Sequence, residues 1–360
     1  MRFIDSNTEK EIVDRRPVAI LGVPFDKVTI SEAVAAIEEM VASRQPHYLV
    51  TANVDFLVQA QQDGELRRIL ANADLSLCDG TPVVWASRLL GNPLPERVAG
   101  SDLTPLLLKV AAEKGWRVYF LGATPEALAE AVARLERDLP SLIIAGHESP
   151  PFRPLSDAEN EEIAWRIQEA RPDLVFVAFG CPKAEKWIAR HYRAIGAPVM
   201  VGVGGTIDFL AGRVKRAPRW MARGGVEWIY RLMQEPRRLW RRYSRDLWVF
   251  SWSILAQWLT LSGRVAIELE GAVQCAGEHG VLDLSDVPHI DSGGVGLFLA
   301  LQKKMRAEGR QLVLASPNRQ VRRALAIMRL QDDFIIAPNL AAAHRLASPV
   351  APIWMAKRAA

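Results

Sequence analysis

Asp79 ends the apolar run LSLC (75–78) and is followed by Gly80, Thr81 and Pro82. Thr81 can cap the helix that follows, and Pro82 suits its first turn. That partly frees the Asp79 carboxylate. A carboxylate at the carboxyl end of a buried strand, beside a helix N-terminus, can act as general base toward a hydroxyl; an acid that only caps the turn is the other reading. Thr51 and Asn53, in TANVD (51–55), stand at a second strand-to-helix junction. Their short polar side chains suit a sugar hydroxyl or the cap of the next helix. Arg97, in LPERVAGSD (94–102), carries a guanidinium that matches diphosphate oxygens two at a time, unless it is a solvated surface group. Three further turns follow apolar runs: Gly122 in FLGATPE, Pro182, Lys183 and Glu185 in FGCPKAEKW, and Gly204, Gly205 and Asp208 in VGVGGTIDFLAG. Turns of this kind can present backbone N–H groups to an anion. The Gly204-Gly205 pair lets a ligand approach the backbone closely.

The elements that must hold these residues alternate. Strands are expected at 47–52, 75–78, 117–121, 142–146, 173–179 and 197–203, with helices between them, one of them over 54–73. The strands are continuous apolar runs, as both-face burial requires. Strand–helix alternation predicts an α/β fold with a Rossmann-like parallel sheet. Ligands of such sheets bind at the carboxyl ends of the strands, where the residues named above fall.

The chain has 360 residues, enough for about two domains. Hydrophobic residues make up 49% and charged residues 24%, which excludes a disordered or collagen-like chain. Cys78, Cys181 and Cys275 are far apart without a CxxC spacing, so neither a disulfide scaffold nor a cysteine zinc site is expected. The charged first residues do not read as a secretory signal. The six histidines show no metal-ligand spacing, and there is no Asp-x-Asp pair. No metal and no cofactor are expected. GxxxxGK[ST], an early GxGxxG and GxSxG are all missing, which disfavours a P-loop NTPase, a dinucleotide dehydrogenase and an α/β-hydrolase.

The net charge of +4 hides an asymmetry. Arg213 to Asp246 holds eleven Lys/Arg against three Asp/Glu, a local +8. Six of the eleven tryptophans fall between Trp220 and Trp258, and no charged residue occurs from Leu247 to Gly263. Such a segment suits an interfacial membrane helix better than a full span, which needs about 20 apolar residues. Nucleic acid is not expected as partner, because the basic run leads into an apolar one. The expected division is a core at 1–212, a basic aromatic helical arm at 213–262, a small α/β unit at 263–348 and a tail at 349–360.

Taken in order, TANVD, ADLSLCDG, LPERVAGSD, FVAFGCPKAEKW, VGVGGTIDFLAG, RAPRWM and EWIYRLMQEPRRLWRRY resemble the WecG/TagA/CpsF family of bacterial glycosyltransferases over about residues 17–246. The resemblance implies metal-independent, inverting transfer of an N-acetylmannosamine-type sugar. The donor would be a UDP-sugar and the acceptor glycan would be linked to undecaprenyl diphosphate. It implies work on cell-surface polysaccharide, as a peripheral protein on the cytoplasmic face of the bacterial inner membrane. It places the general base on Asp79, orienting groups on Thr51 and Asn53, and a motif arginine on Arg97. Arg231, Arg238 and Arg241 would belong to a basic arm that closes over the site and meets diphosphate and an anionic membrane. Two departures stand out. Ala184 replaces the glutamine of Pro-Lys-Gln-Glu, and Pro150-Pro151-Phe152 replaces Gly-Tyr-Phe.

Residues 264–348 resemble a STAS domain, most specifically at Asp291, Ser292 and Gly294. The resemblance implies a regulatory or docking module, with Ser292 as the position that a partner kinase phosphorylates in antagonists of that fold. A phosphate there would sit at a helix N-terminus; simple capping by Asp291 and Ser292 is the other reading. The alternative for the whole chain is a catalytically degenerate UDP-sugar-binding scaffold that signals through its STAS unit, a reading kept open by Ala184. Self-association is left open.

Overall fold

The computed structural model describes residues 16–214, 221, 227–234, 236–261 and 280–347. They fall into two compact units. One is Phe25–Arg88 with Pro93–Ser251. The other joins Leu89–Asn92 to the described residues of Met1–Pro24 and Trp252–Ala360. A short hairpin, β1 (Val18–Ile20) and β2 (Val23–Phe25), opens the described chain.

The first unit continues α1 (Ile30–Ser43), β3 (His47–Ala52), α2 (Val54–Ala60), α3 (Gly64–Asn72), β4 (Leu75–Cys78), α4 (Thr81–Leu89) and α5 (Gly100–Lys114). Then come β5 (Arg117–Gly122), α6 (Pro125–Asp138), β6 (Ile143–Glu148), α7 (Asp157–Ala170), β7 (Leu174–Ala178), α8 (Lys183–Ile195), β8 (Val199–Gly202) and α9 (Thr206–Ala211). The six strands pair in parallel in the order β4-β3-β8-β7-β5-β6. Leu49, Leu77, Phe120, Phe176 and Val201 share one core with Leu103, Leu107 and Leu128 of the covering helices. Val175 and Val177, of opposite side-chain parity to Phe176, are buried as fully as it is, so both faces are covered. The expected helix at 54–73 is two helices. Asp63 interrupts it, accepting a hydrogen bond from Leu66 N–H and so capping α3.

The chain leaves β3 for β4 on one side and builds β5 and β6 on the other. It returns through β7 and β8 to place β8 against β3. That reversal opens a crevice outside the carboxyl ends of β3 and β8. Two helices of the basic segment follow, α10 (Glu227–Gln234) and α11 (Pro236–Leu261).

The second unit carries β9 (Val281–Asp283), α12 (Ser292–Ala307), β10 (Val313–Ala315), α13 (Arg319–Ile327), β11 (Ile335–Ala337) and α14 (Leu340–Ala347). Its strands pair in parallel in the order β11-β10-β9. The strand expected at RVAIELEG lies outside the described residues. Compaction groups residues differently from the sequential boundaries at 212 and 262, because β1 packs on α12. A Cβ on Gly296 would lie 1.9 Å from the Pro17 carbonyl oxygen, so only glycine permits that approach. Gln257 of α11, fully buried, donates to Ala19 O and accepts from Leu21 N, each at 2.9 Å. Gln257→Leu would remove both of these buried hydrogen bonds. The expected cost is about 1–3 kcal/mol, readable as a lower midpoint in urea.

Candidate active site

The crevice is walled on one side by Thr51, Asn53, Phe56, Asp79, Gly100 and Ser101, and on the other by Gly180, Cys181, Ala184, Glu185 and residues 202–206. The wall residues lie at strand ends, in the turns just after them or in the first turns of helices. Thr51 pairs with Leu77 and Ala52 with Cys78 across β3 and β4, and Asp79 N–H donates to Ala52 O at 2.9 Å, which fixes Asp79 beside β3. Helix α4 starts at Thr81, so Gly80 rather than Thr81 precedes its first turn. At Gly100 an added Cβ would lie 3.1 Å from Thr51 Oγ1, so the N-terminus of α5 comes close to Thr51.

Asn53 is a cap that also faces the crevice. Its Oδ1 accepts from Asp55 N–H and Phe56 N–H and caps α2, while the residue lines the crevice. The cap occupies the amide oxygen; the Nδ2 group is the part suited to a ligand acceptor.

Arg97 does not line the crevice. Its guanidinium donates to Asp102 at 2.6 Å and to Glu227 of α10 at 2.7 Å. Burial by itself would lower its pKa. The Glu227 hydrogen bond and the charges of Asp79, Glu227 and Asp102 outweigh that and hold the guanidinium charged. Asp79 and Arg97 thus feel each other electrostatically. Glu227, an acid inside a basic segment, was not singled out from sequence; the isolated reversal of charge in EWIYR was the available signal.

Glu185 is only 4% exposed, and its Oε2 has no hydrogen-bond partner. A Cβ at Gly202 would come within 2.6 Å of its Oε1. Burial, with a smaller contribution from the Asp55 charge, pushes its carboxyl up to about 7. A raised carboxyl pKa gives stability that is present at low pH and lost as pH rises from the ordinary carboxylate range through about 7. Glu185→Gln should therefore match the parent's melting temperature near pH 5 and exceed it at pH 8.5. Burial also pushes up the thiols of Cys181 and Cys78, which disfavours thiolate chemistry here.

Other expected site residues lie elsewhere. Lys183 is exposed and places its ammonium over the Phe152 ring at 5.6 Å. Gly122 has φ +99°, and an added Cβ would lie 2.8 Å from Ala178 O, so its role is the close approach of β5 and β7. Asp208 uses its backbone carbonyl to hold Arg213 N–H and Val214 N–H. Pro182 precedes α8, and Gly204 and Gly205 form the turn into α9 at the crevice wall. Arg241 is exposed on α11, while the side chains of Arg231 and Arg238 lie outside the described residues. Phe56, Ser101, Cys181 and Thr206 also line the site and were not picked out from sequence. Ser101, Cys181 and Thr206 stand within quoted motifs and Phe56 directly follows one, each one to four positions from residues that were. Among the described residues no His, Cys, Asp and Glu side chains group as a metal site.

In the second unit Asp291 Oδ1 accepts from Gly294 N–H and caps α12. Ser292 is fully buried, and its Oγ accepts from Asn92 Nδ2 at 3.0 Å. Asn92 donates to Asp291 Oδ2 at the same distance. The hydroxyl that a kinase would need is covered by the chain's own 89–92 loop.

The model of the Glycosyl transferase WecG/TagA/CpsF family matches residues 18–264, and that of the STAS domain matches residues 261–343. A protein of Staphylococcus aureus strain MW2 is 34% identical over 245 residues, covering 68% of this chain and 94% of its own. A protein of Bacillus spizizenii strain W23 is 40% identical over 195 residues, covering 54% of this chain and 74% of its own. Both are N-acetylglucosaminyldiphosphoundecaprenol N-acetyl-beta-D-mannosaminyltransferases.

Proposed function

This chain belongs to the WecG/TagA/CpsF family of glycosyl transferases, followed by a STAS domain, and from that premise we propose its reaction. It moves an N-acetylmannosamine-type sugar from a UDP-sugar to N-acetylglucosamine carried on undecaprenyl diphosphate. The observation that carries the reading is the convergence of Thr51, Asn53 and Asp79 at the carboxyl ends of β3 and β4, facing the glycine turn at 204–205 across one crevice. The names of the two relatives support the acceptor.

In the proposed step the acceptor hydroxyl oxygen attacks the anomeric carbon. Its proton passes to Asp79, the bond from that carbon to the phosphate oxygen breaks, and the electron pair leaves with UDP. One displacement inverts the anomeric centre. Thr51 Oγ1 and Asn53 Nδ2 orient hydroxyls beside the base. Backbone N–H groups at the start of α5 and in the 204–206 turn are suited to the departing diphosphate. Arg97 is the nearby cation for that charge, once it exchanges Glu227 for phosphate. The space beside Ala184, where the family pattern places glutamine, is assigned to the donor.

The exposed aromatic face of α11 suits an anionic leaflet, where a lipid-linked acceptor resides. No described helix is long and apolar enough to cross a membrane. Peripheral attachment on the cytoplasmic face is proposed from that aromatic face and from the lipid-linked acceptor. The STAS unit regulates or docks the transferase; with Ser292 covered by Asn92, a kinase could act only after the 89–92 loop moves.

The test is UDP release by purified protein. UDP-ManNAc, UDP-GlcNAc and related donors would be offered with a short-chain lipid-diphosphate-GlcNAc acceptor in EDTA. Acceptor-dependent release that survives EDTA is expected. UDP binding without turnover on any donor would favour the scaffold reading instead.

A further inference from the structure

The basic arm buries one acid. Asp246 of α11 is 3% exposed. Its Oδ1 accepts from Arg245 at 3.0 and 3.2 Å, and its Oδ2 has no donor. Asp55, in the first turn of α2, has one oxygen 3.9 Å from Arg242 and a buried Oδ1 that also lacks a donor. The two carboxyl groups are hydrogen-bond neighbours.

A buried carboxylate and a part-buried one in contact repel, and their two orphaned acceptor atoms each carry a desolvation cost. One proton between them removes both penalties. Four charged or titratable groups surround the pair, and Asp55 itself is the fifth that Asp246 meets. Arg242 and Arg245 come from α11 itself, Asp246's own helix, and each pairs with one carboxylate. Asp55 comes from α2, and Glu185 and Cys181 come from the start of α8, where both feel the Asp55 charge. Asp246 and Glu185 each therefore feel the Asp55 charge, and the arginines engage only one oxygen of each aspartate. Among the described residues this cluster has no metal-ligand geometry, so a proton is the cation that fits.

We propose that Asp246 is a positioning residue that seats the arm beneath the crevice through one proton shared with Asp55. Arm seating then takes up a proton. It also steadies the α2 turn that Asn53 caps, since Asp55 supplies a backbone donor to that cap. The inference concerns the arm's attachment and holds whichever sugar is transferred. Burial first, with the Asp55 charge adding to it, raises the Asp246 carboxyl above its ordinary value, despite the Arg245 hydrogen bond. The sign follows: a raised carboxyl pKa favours seating at low pH and loses it as pH rises out of the carboxylate range.

Hydrogen exchange of residues 240–251 in the full chain tests this at pH 5.5 and 8, each variant compared with the parent at the same pH so that intrinsic rates cancel. Asp246→Asn keeps a donor toward Asp55 without titrating. Protection in the parent is expected to fall relative to Asp246→Asn as pH rises, by up to about tenfold per pH unit, the slope that one proton allows. Asp55→Asn, the other half of the pair, should flatten the dependence equally and serves if Asp246→Asn does not fold. Asp246→Ala should lose protection at both pH values. A parent-to-Asn ratio that is the same at both pH values, for either Asn variant, would overturn the shared proton. Full protection in Asp246→Ala would overturn the anchor.

Discussion

Asp79→Asn is expected to lower acceptor-dependent UDP release by about 10²–10⁴-fold, the range that a positioned base contributes, while leaving the fold unchanged. The backbone of the residue has a structural part. The N–H bond to Ala52 O ties the end of β4 to β3 and survives the substitution. What is lost is the ability to accept a proton. The amide keeps the volume and can still hydrogen-bond a hydroxyl, so donor binding should change far less than turnover. The charge is lost too, and Asp79 is one of the acids that stabilise the Arg97 guanidinium. A small change in UDP affinity is therefore expected beside the large change in kcat. Unchanged thermal melting with lost kcat separates chemistry from folding. Turnover within a few-fold of the parent would remove Asp79 as the base and leave it the turn acid that its position also permits.

Much of this site was legible in the sequence because strand ends can be read from apolar runs. TANVD, LSLCDG and VGVGGT each follow such a run, and the parallel sheet brings their first polar residues to one crevice. Legibility failed where function depends on contacts between distant segments. Arg97 looked like a free clamp; its partner Glu227 lies 130 residues away. Asp55 sits inside a quoted motif, but its contact with Asp246 could not be inferred from spacing. The cover over Ser292 comes from Asn92, 200 residues earlier, at the end of a helix whose start follows Asp79. The STAS-like pattern was readable from Asp291 and Ser292; the way β1 closes on Gly296 was not, because nothing local requires it. Local rules place caps and strand ends, whereas burial of charge is settled by packing partners.

Trp248→Ser combined with Trp252→Ser is expected to weaken binding to anionic vesicles by about 10³-fold. Helix α11 has two faces. Asp246, Phe250, Ile254, Gln257 and Leu261 are buried at helical spacing. Trp240, Trp248, Trp252, Leu255 and Leu259 follow the same spacing on the outward side, with Trp248 75% and Trp252 67% exposed. Among the described residues nothing gives these outward side chains apolar cover, and a continuous exposed apolar stripe marks an interaction surface. Arg237, Arg241 and Arg245 are exposed on the same helix. Tryptophan with arginine suits the headgroup depth of a bilayer. Removing the still-exposed part of each indole from water is worth about 2 kcal/mol, so the pair carries about 4 kcal/mol, or the stated factor. Arg237→Gln with Arg241→Gln should cost about 30-fold on anionic vesicles, at about 1 kcal/mol per charge, and little on neutral ones. The same face could instead be covered by a second copy of the chain. Sedimentation decides: if the tryptophan variant turns a dimer into a monomer and binds vesicles as well as the parent, the stripe is a self-association surface. If vesicle binding collapses at unchanged mass, the stripe lies in the leaflet and holds the crevice where a lipid-linked acceptor is found.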